Sequence, residues 1–289
     1  DPDTAGGYTV LPEQFVNQLI QAVNNTVLIR QLATVIPVTN AESLGIPSLD
    51  NDPADPTWTA EILTGSEDST MSFGKRALFP KPLAQRAKVS KKLLRASAIP
   101  IDELIRNRLA YKASVVEENA FLNGSGSNQP LGVFTASDDG ISTSRDVSTD
   151  NTTTALKADN LIEVKYTLKD QYLAAARWIF NRAIIKVIRK LKDGEGNYLW
   201  RAGISTDRPD TILDLPFLSS EYAPSTLTTG LYVGILGDFS NYWIADALDM
   251  EIQVLTELYA ATNQNGYILR KETDGMPVLE EAFVRVTMA

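Results

Sequence analysis

The chain has 289 residues, carries 27 Lys+Arg against 36 Asp+Glu for a formal charge of −9, and contains neither cysteine nor histidine. Disulfides, zinc knuckles, thiolate nucleophiles, Ser-His-Asp triads and imidazole ligands are therefore excluded, so an enzyme would have to run on carboxylates, Lys, Tyr or Ser/Lys chemistry. A hydrophobic content of 44% suffices for a sizeable core in two compact units, and the acidic balance argues against a protein whose main task is gripping nucleic acid.

The N-terminus, DPDTAGGYTVLPEQF, has no basic residue and no leading apolar block. It does not read as a secretory signal, and its start at Asp1 reads as a processed or trimmed end; intracellular, non-catalytic work is the expectation. From Gln31 to Gly74 there are seven acids (Glu42, Asp50, Asp52, Asp55, Glu61, Glu67, Asp68) and no Lys or Arg, whereas residues 75–101 hold Lys75, Arg76, Lys81, Arg86, Lys88, Lys91, Lys92 and Arg95 and no acid. The turn-rich tip TGSEDS and the loosely alternating flanks TWTAEI, TMSFGKRALF and AQRAKVS predict a long two-stranded excursion over residues 56–90. A hairpin with so little apolar content is marginal by itself in water and is expected to lie on another surface.

After Pro100, apolar residues at Ile101, Leu104, Ile105, Leu109, Ala113, Val116 and Ala120 recur at steps of three and four, predicting an amphipathic helix over 101–122 that ends at Asn123-Gly124. Some 22 residues at ~1.5 Å rise make roughly 33 Å, the length of a spine across a domain. Residues 136–156 are polar and read as a surface loop or poorly ordered connection, with a domain boundary near 155. Beyond it the pattern predicts a helix from Asp159, as cap, to about Ala175, a strand over 177–180, a helix over 181–191 stopped by Asp193-Gly194, and a buried strand over 230–237 (GLYVGILG). Further strands are expected at 252–255, 266–270 and 282–287. Even the apolar stretch 173–180 is broken by Arg177, so nothing approaches the roughly 18 apolar residues of a membrane span. Helices and strands alternate without a regular βαβ rhythm, which predicts the α+β class.

No motif carries catalysis. Gly124-Ser125-Gly126-Ser127 follows a helix rather than a strand and lacks a following Lys-Ser/Thr, so it is a poor phosphate cradle. Asp193, Glu195 and Asn197 in KDGEGNY resemble the first ligands of a calcium loop, but the twelfth position is Ile204 where a bidentate Glu is needed, and a helix-ending turn is the better reading. The pairs Glu117-Glu118 and Glu280-Glu281 are neighbours that do not face each other on a helix, so they read as solvated charge rather than acid–base partners. The N-x-S/T triplets at Asn24, Asn123 and Asn151 carry little without a secretory signal.

Several well-separated stretches, in order, do carry a resemblance: GGYTVLPEQF, PTWTAE, SFGKRAL to KVSKKLL, EENAFLNGSGSNQPLGVF, LKDGEGNYLW, LDLPF and GILGDFSNYWIAD. Together they resemble the major capsid proteins of tailed bacteriophages, with the fold named after phage Hong Kong ninety-seven. The resemblance implies an N-terminal arm (1–40), an extended E-loop hairpin (50–90), a peripheral domain (91–156 and 229–289) including the spine helix, and an axial domain (157–228). It implies a virion shell built in the host cytoplasm from hexamers and pentamers of this chain around DNA held by weak, non-specific contact. Portal, scaffold and maturation protease are the implied assembly partners, with a cement protein as an option and no membrane, metal or cofactor. Asp1 would be the mature end left by the maturation protease, and absent Cys suits a reducing cytoplasm.

One departure stands out. A branch of the family joins an E-loop Lys to a neighbour's Asn with a Glu promoting the bond; Lys75 in SFGKRA stands where that Lys would stand, but Lys271 occupies the place of the Glu, and the nearest amides are Asn263, Gln264 and Asn265. Self-crosslinking is therefore not expected. An encapsulin-type compartment shell shares the fold and is the first rival, and a carboxylate-based hydrolase is the remote one. From the residues alone, Glu61, Glu67 and Asp68 on one side and Lys75, Arg76, Lys88, Lys92 and Arg95 on the other are candidate intersubunit contacts, because a head-to-tail ring needs complementary charge in two places on one chain. The alternative is that the two blocks neutralise each other across the strands of one hairpin.

Overall fold

A computed structural model describes residues 28–38, 43–51, 55, 58, 71–96, 100–199 and 211–289. The chain enters through a single helical turn, α1 (Ile29–Leu32), and a short strand, β1 (Thr34–Pro37). A two-stranded ribbon follows, β2 (Leu44–Asn51) and β3 (Ser72–Leu78), then β4 (Lys81–Ser90), α2 (Lys91–Ala96) and the long helix α3 (Ile101–Asn123). The second half comprises β5 (Asp146–Val147), α4 (Ala158–Thr167), α5 (Asp170–Leu173), β6 (Arg177–Phe180), α6 (Arg182–Arg189), β7 (Thr211–Ile212), β8 (Leu215–Ser219) and β9 (Tyr232–Gly237). It closes with two 14-residue strands, β10 (Tyr242–Leu255) and β11 (Gln264–Pro277), and β12 (Phe283–Thr287). The class is α+β, as the pattern predicts.

Two larger sheets organise these elements. One has the order β1-β10-β11-β4, with β1 parallel to β10 and the other neighbours antiparallel. The other has the order β5-β12-β9-β6-β8-β7. Its central strands are apolar on both faces, as a sheet covered on both sides requires. Trp178 and Phe180 of β6, with Val284 and Val286 of β12, face the core built on α4 and α6, while Ile179 and Phe283 face the core that holds Phe121 and Leu122 from the end of α3. Gly234 pairs with Phe180, and a Cβ there would collide with the Phe180 ring, so close approach of β6 and β9 depends on a glycine.

Helix α3 spans about 35 Å at ~1.5 Å per residue and buries Leu109, Ala113, Glu117 and Ala120, steps of three and four along one face. Leu109 and Ala113 pack on Tyr267 and Leu269 of β11, with Leu83, Ala87 and Val89 of β4 completing the cluster. The helix thus runs from the four-stranded sheet into the apolar layer beside the six-stranded one.

Four differences from the sequence reading have physical causes. The predicted two-stranded excursion over 56–90 is not what pairs: β3 pairs antiparallel with β2, from Leu44↔Leu78 to Asn51↔Ser72, while β4 leaves the ribbon and pairs with β11. Phe79 and Pro80 separate two strand-like runs, and the apolar alternation of β4 is used against α3, 20 to 30 residues ahead. The polar 136–156 segment is built in rather than loose. Ile141 is fully buried, Asn151 donates to the Thr287 carbonyl at 2.8 Å, and the fully buried Arg285 binds Asp146 at 2.6 Å and the Ser142 carbonyl at 2.8 Å while stacking on Tyr232. The helix predicted over 159–175 breaks after Thr167 because Leu168 turns extended to fill the core, and Lys157, not Asp159, occupies the cap position. Finally, β9 and β12 share a sheet with β6, β7 and β8, so the two sheets do not divide at 157 and 228.

Candidate intersubunit surface

The ribbon β2–β3 forms a two-stranded sheet of its own. At ~3.3 Å per residue its eight-residue strand reaches about 25 Å. At its base, Ile46 and Leu78 are buried with Val38, Leu131, Ala245 and Met276. Among the described residues no third strand joins it, and two strands alone are marginal in water, so the ribbon calls for a further surface.

A buried carboxylate fixes the base. Asp274 accepts from the Phe79 backbone N–H at 2.8 Å and the Gly275 N–H at 2.9 Å, with the Lys81 ammonium 3.6 Å away. Lys81 also donates to the carbonyls of Gly126 and Gln129 at 2.7 and 3.0 Å, so the Gly-Ser loop after α3 holds the root of the ribbon rather than a phosphate. Burial raises the Asp274 carboxyl above the ordinary aspartate value, a cost that the donors reduce.

Beside it lies a cluster of buried charge that sequence reasoning missed. Glu117 and Glu118 of α3, read from sequence as solvated, are 4% and 0% exposed. The geometric premise holds, since they point in different directions, but both directions lead inward. Glu117 binds Lys271 of β11 at 2.6 Å and Arg30 of α1 at 3.3 Å; Arg30 also binds Asp246 of β10 at 2.5 Å. Glu118 accepts from the Ile29 N–H at 2.9 Å. Burial pushes the Glu118 carboxyl up. At Asp246 burial is the largest influence and acts upward, but the Arg30 bonds and the Thr273 hydroxyl outweigh it and hold the carboxyl below its ordinary value. These charges fasten the incoming segment to α3 and the sheet. The sequence signal is a charged pair just ahead of the apolar run Ala120-Phe121-Leu122 at the end of α3.

The predicted contact residues do not form one cluster. Lys75 is exposed on β3 opposite Pro47, and Arg76 is half-buried with its guanidinium on the Asp139 carbonyl. Lys88 is exposed on β4, and Lys92 and Arg95 are exposed on α2. Glu61, Glu67 and Asp68 lie outside the described residues. Lys271, noted in sequence as standing where a crosslinking Glu would stand, is spent on Glu117.

The remaining motifs resolve as ordinary structure. Asp193 accepts from the backbone N–H groups of Asn197 and Glu195 at 2.8 and 3.0 Å and from the Asn197 amide, which lower its pKa and close a turn after α6. Glu281 pairs with Lys169 at 2.6 Å, and Glu280 accepts from the Ser142 N–H. Among the described residues, no group of three or more acids could hold a metal ion, and no helix is long and apolar enough to cross a membrane.

Residues 6–288 match the phage capsid family. This chain belongs to the phage capsid family. It is 26% identical over 191 residues to the major capsid protein of Enterobacteria phage HK97, an alignment covering 66% of this chain and 46% of that protein, so it spans about half the length of that curated relative. Among solved structures, the capsid of an empty GTA particle superposes with a TM-score of 0.85 at 26% identity, covering 99% of this chain and 97% of that one. The fold is equally clear at lower identity: a chain from Microbacterium phage Oxtober96 matches over the full length of both chains with a TM-score of 0.78 at 16% identity. The capsid chain therefore has the Hong Kong ninety-seven type fold that its sequence motifs resemble.

Proposed function

We propose that this chain is the major capsid protein of a phage or GTA-type particle, a non-enzymatic subunit that assembles into the hexamers and pentamers of an icosahedral shell around double-stranded DNA. The observation that supports this most is the match of residues 6–288 to the capsid family, in a chain whose ribbon β2–β3 forms a two-stranded sheet of its own. A lone subunit leaves that ribbon without a covering layer, and a shell supplies one in every neighbour.

On this reading residues 1–40 form the N-terminal arm, the ribbon with its connecting residues is the E-loop, α3 is the spine helix, the four-stranded sheet belongs to the peripheral domain, and residues 157–228, with the strands β9 and β12 that share their sheet, belong to the axial domain. The principal partner is the chain itself. Packaged DNA meets the shell through weak, non-specific contact, consistent with a charge of −9. Portal, scaffold and maturation protease act during assembly in the host cytoplasm, and a cement protein is an optional decoration.

The test is electron microscopy of the particle purified from its producing host, with nuclease treatment before the contents are extracted. Closed shells containing nuclease-protected DNA are expected. Shells filled with a cargo enzyme and no DNA would make the chain an encapsulin-type compartment, and turnover of glycosides by an unassembled monomer would make it a hydrolase.

A further inference from the structure

We propose that the hollow between α2 and the turn joining β10 to β11 binds a small oxyanion that still carries a hydroxyl, inorganic phosphate being the simplest such ligand. The site lies within one subunit and stands whether or not the chain assembles.

The backbone builds the hollow. Strand β4 runs beside β11 up to the pair Ser90↔Gln264, and α2 starts at the next residue. There the Lys91 N–H donates to the Asn263 carbonyl at 3.0 Å, which ties α2 to the turn. Asn263 itself sits in the left-handed region (φ 52°, ψ 44°), a conformation that asparagine tolerates better than most residues. The hollow left between these pieces has a volume of about 350 Å³ and is lined by Lys91, Leu94, Arg95, Asn263 and Asn265. Two cations, two amides and one aliphatic wall thus surround a space large enough for a partly hydrated phosphate.

Two observations identify the ligand. The first is charge: in a chain of net charge −9, no carboxylate among the described residues lies within ion-pair distance of Lys91 or Arg95. Glu257, the one acid of the turn, lines a separate hollow with residues 253–258. An ammonium and a guanidinium that line one space without a counter-charge favour an anion there, and the guanidinium fork matches the spacing of phosphate oxygens. The second is an orphaned acceptor: the side-chain oxygen of Asn265 is buried and has no hydrogen-bond partner. Leaving such an acceptor unpaired is costly, and sulfate or a phosphodiester has no O–H to offer it. Inorganic phosphate keeps one O–H at neutral pH, so it can accept from Lys91 and Arg95 and donate to Asn265 at once.

The experiment is calorimetric titration of the dilute full-length chain, at fixed ionic strength, with inorganic phosphate, sulfate and a short DNA duplex without terminal phosphates. Phosphate should bind one-to-one with a dissociation constant of about 1 mM or tighter, the range that a few charge-assisted hydrogen bonds support. Sulfate should bind at least ~threefold more weakly, and Asn265→Ala should remove that preference. The pair Lys91→Gln, Arg95→Gln should weaken phosphate binding by about tenfold or more, whereas Lys88→Gln, Lys92→Gln, which removes the same charge outside the hollow, should change it by less than about threefold. Arg95→Gln alone, at an exposed position, separates lost binding from lost folding: it should weaken phosphate by roughly threefold or more at an unchanged melting temperature. Equal losses in the two double variants would mean diffuse attraction and overturn the proposal, as would heats that never saturate. Sulfate bound as tightly as phosphate overturns the hydroxyl requirement. Binding of the duplex without binding of phosphate would make this surface a nucleic-acid track and overturns the pocket too.

Discussion

Glu117 is the residue on which the fastening of the incoming segment depends most. Its carboxylate is 4% exposed, 2.6 Å from the Lys271 ammonium and 3.3 Å from the Arg30 guanidinium. Removing one partner of a buried ion pair leaves the other charge desolvated and costs about 3–5 kcal/mol, whereas replacing both by apolar residues is often near neutral. The three possible truncations therefore should not cost the same. Glu117→Gln strands Lys271, which is itself buried, and should cost about 3–4 kcal/mol; Arg30 keeps Asp246 at 2.5 Å and limits the loss. Lys271→Met leaves Glu117 with Arg30 and should cost about 1.5–3 kcal/mol. The double variant Glu117→Met, Lys271→Met should lie within about 1 kcal/mol of the parent, giving, with the Glu117→Met and Lys271→Met single variants, a coupling of at least ~2 kcal/mol in the cycle. At roughly 2–4 °C per kcal/mol for chains of this size, Glu117→Gln should lower the midpoint of a dilute, unassembled subunit by roughly 6–16 °C. A cost below about 1 kcal/mol for Glu117→Gln, or a coupling near zero, would refute the argument that this charge cluster is desolvated and holds the segment by pairing.

Four other outcomes are expected. Because burial raises the folded-state pKa of Glu118, its ionisation opposes folding, and its favourable contribution is lost as pH rises through that value; Glu118→Gln should melt above the parent near neutral pH, with the gap closing on acidification, and a pH-independent gap in paired melts would contradict this. Asp246, with its lowered pKa, acts with the opposite sign, so the stability of its Arg30 attachment is present above the ordinary aspartate range and is lost as pH falls through the folded-state value. Tyr242→Phe should cost about 1–2 kcal/mol in denaturant titration, since its buried hydroxyl donates to the Leu131 carbonyl at 2.8 Å, and a neutral result would show that carbonyl to be satisfied elsewhere. Assembled shells should dissolve into single-chain bands on denaturing gels, because Lys75 is exposed and Lys271, in the place of a promoting Glu, is committed to Glu117; ladders of covalent rings would show otherwise.

Local periodicity made α3, β6 and α6 legible from sequence, and the structure gives them as Ile101–Asn123, Arg177–Phe180 and Arg182–Arg189, with Asn181 capping α6 through the Ala183 N–H. Long-range pairing was not legible. Nothing in KPLAQRAKVS announces that its partner is residues 264–273 rather than the neighbouring SFGKRAL, because both are strand-like runs beside a turn signal. Strand β10 reads from sequence as a short piece, since register irregularities between Asp246 and Leu248 and between Leu248 and Glu251 interrupt the two-residue period that reveals a strand. Of the candidate surface, the charge blocks could be read from composition, but the separate pairing of β3 and β4 could not. The buried cluster of Arg30, Glu117, Glu118, Asp246 and Lys271 draws on four distant segments, so each charge looks solvated until the fold brings its partner into reach.

The claim that this chain is a shell subunit is tested most directly by imaging the purified protein at assembly concentration and averaging the vertices and faces separately. The account predicts closed shells with fivefold rings at vertices and sixfold rings between them, each ribbon lying across a neighbouring copy. A monodisperse monomer across the whole concentration range, with the ribbon resistant to protease in that monomer, would contradict it.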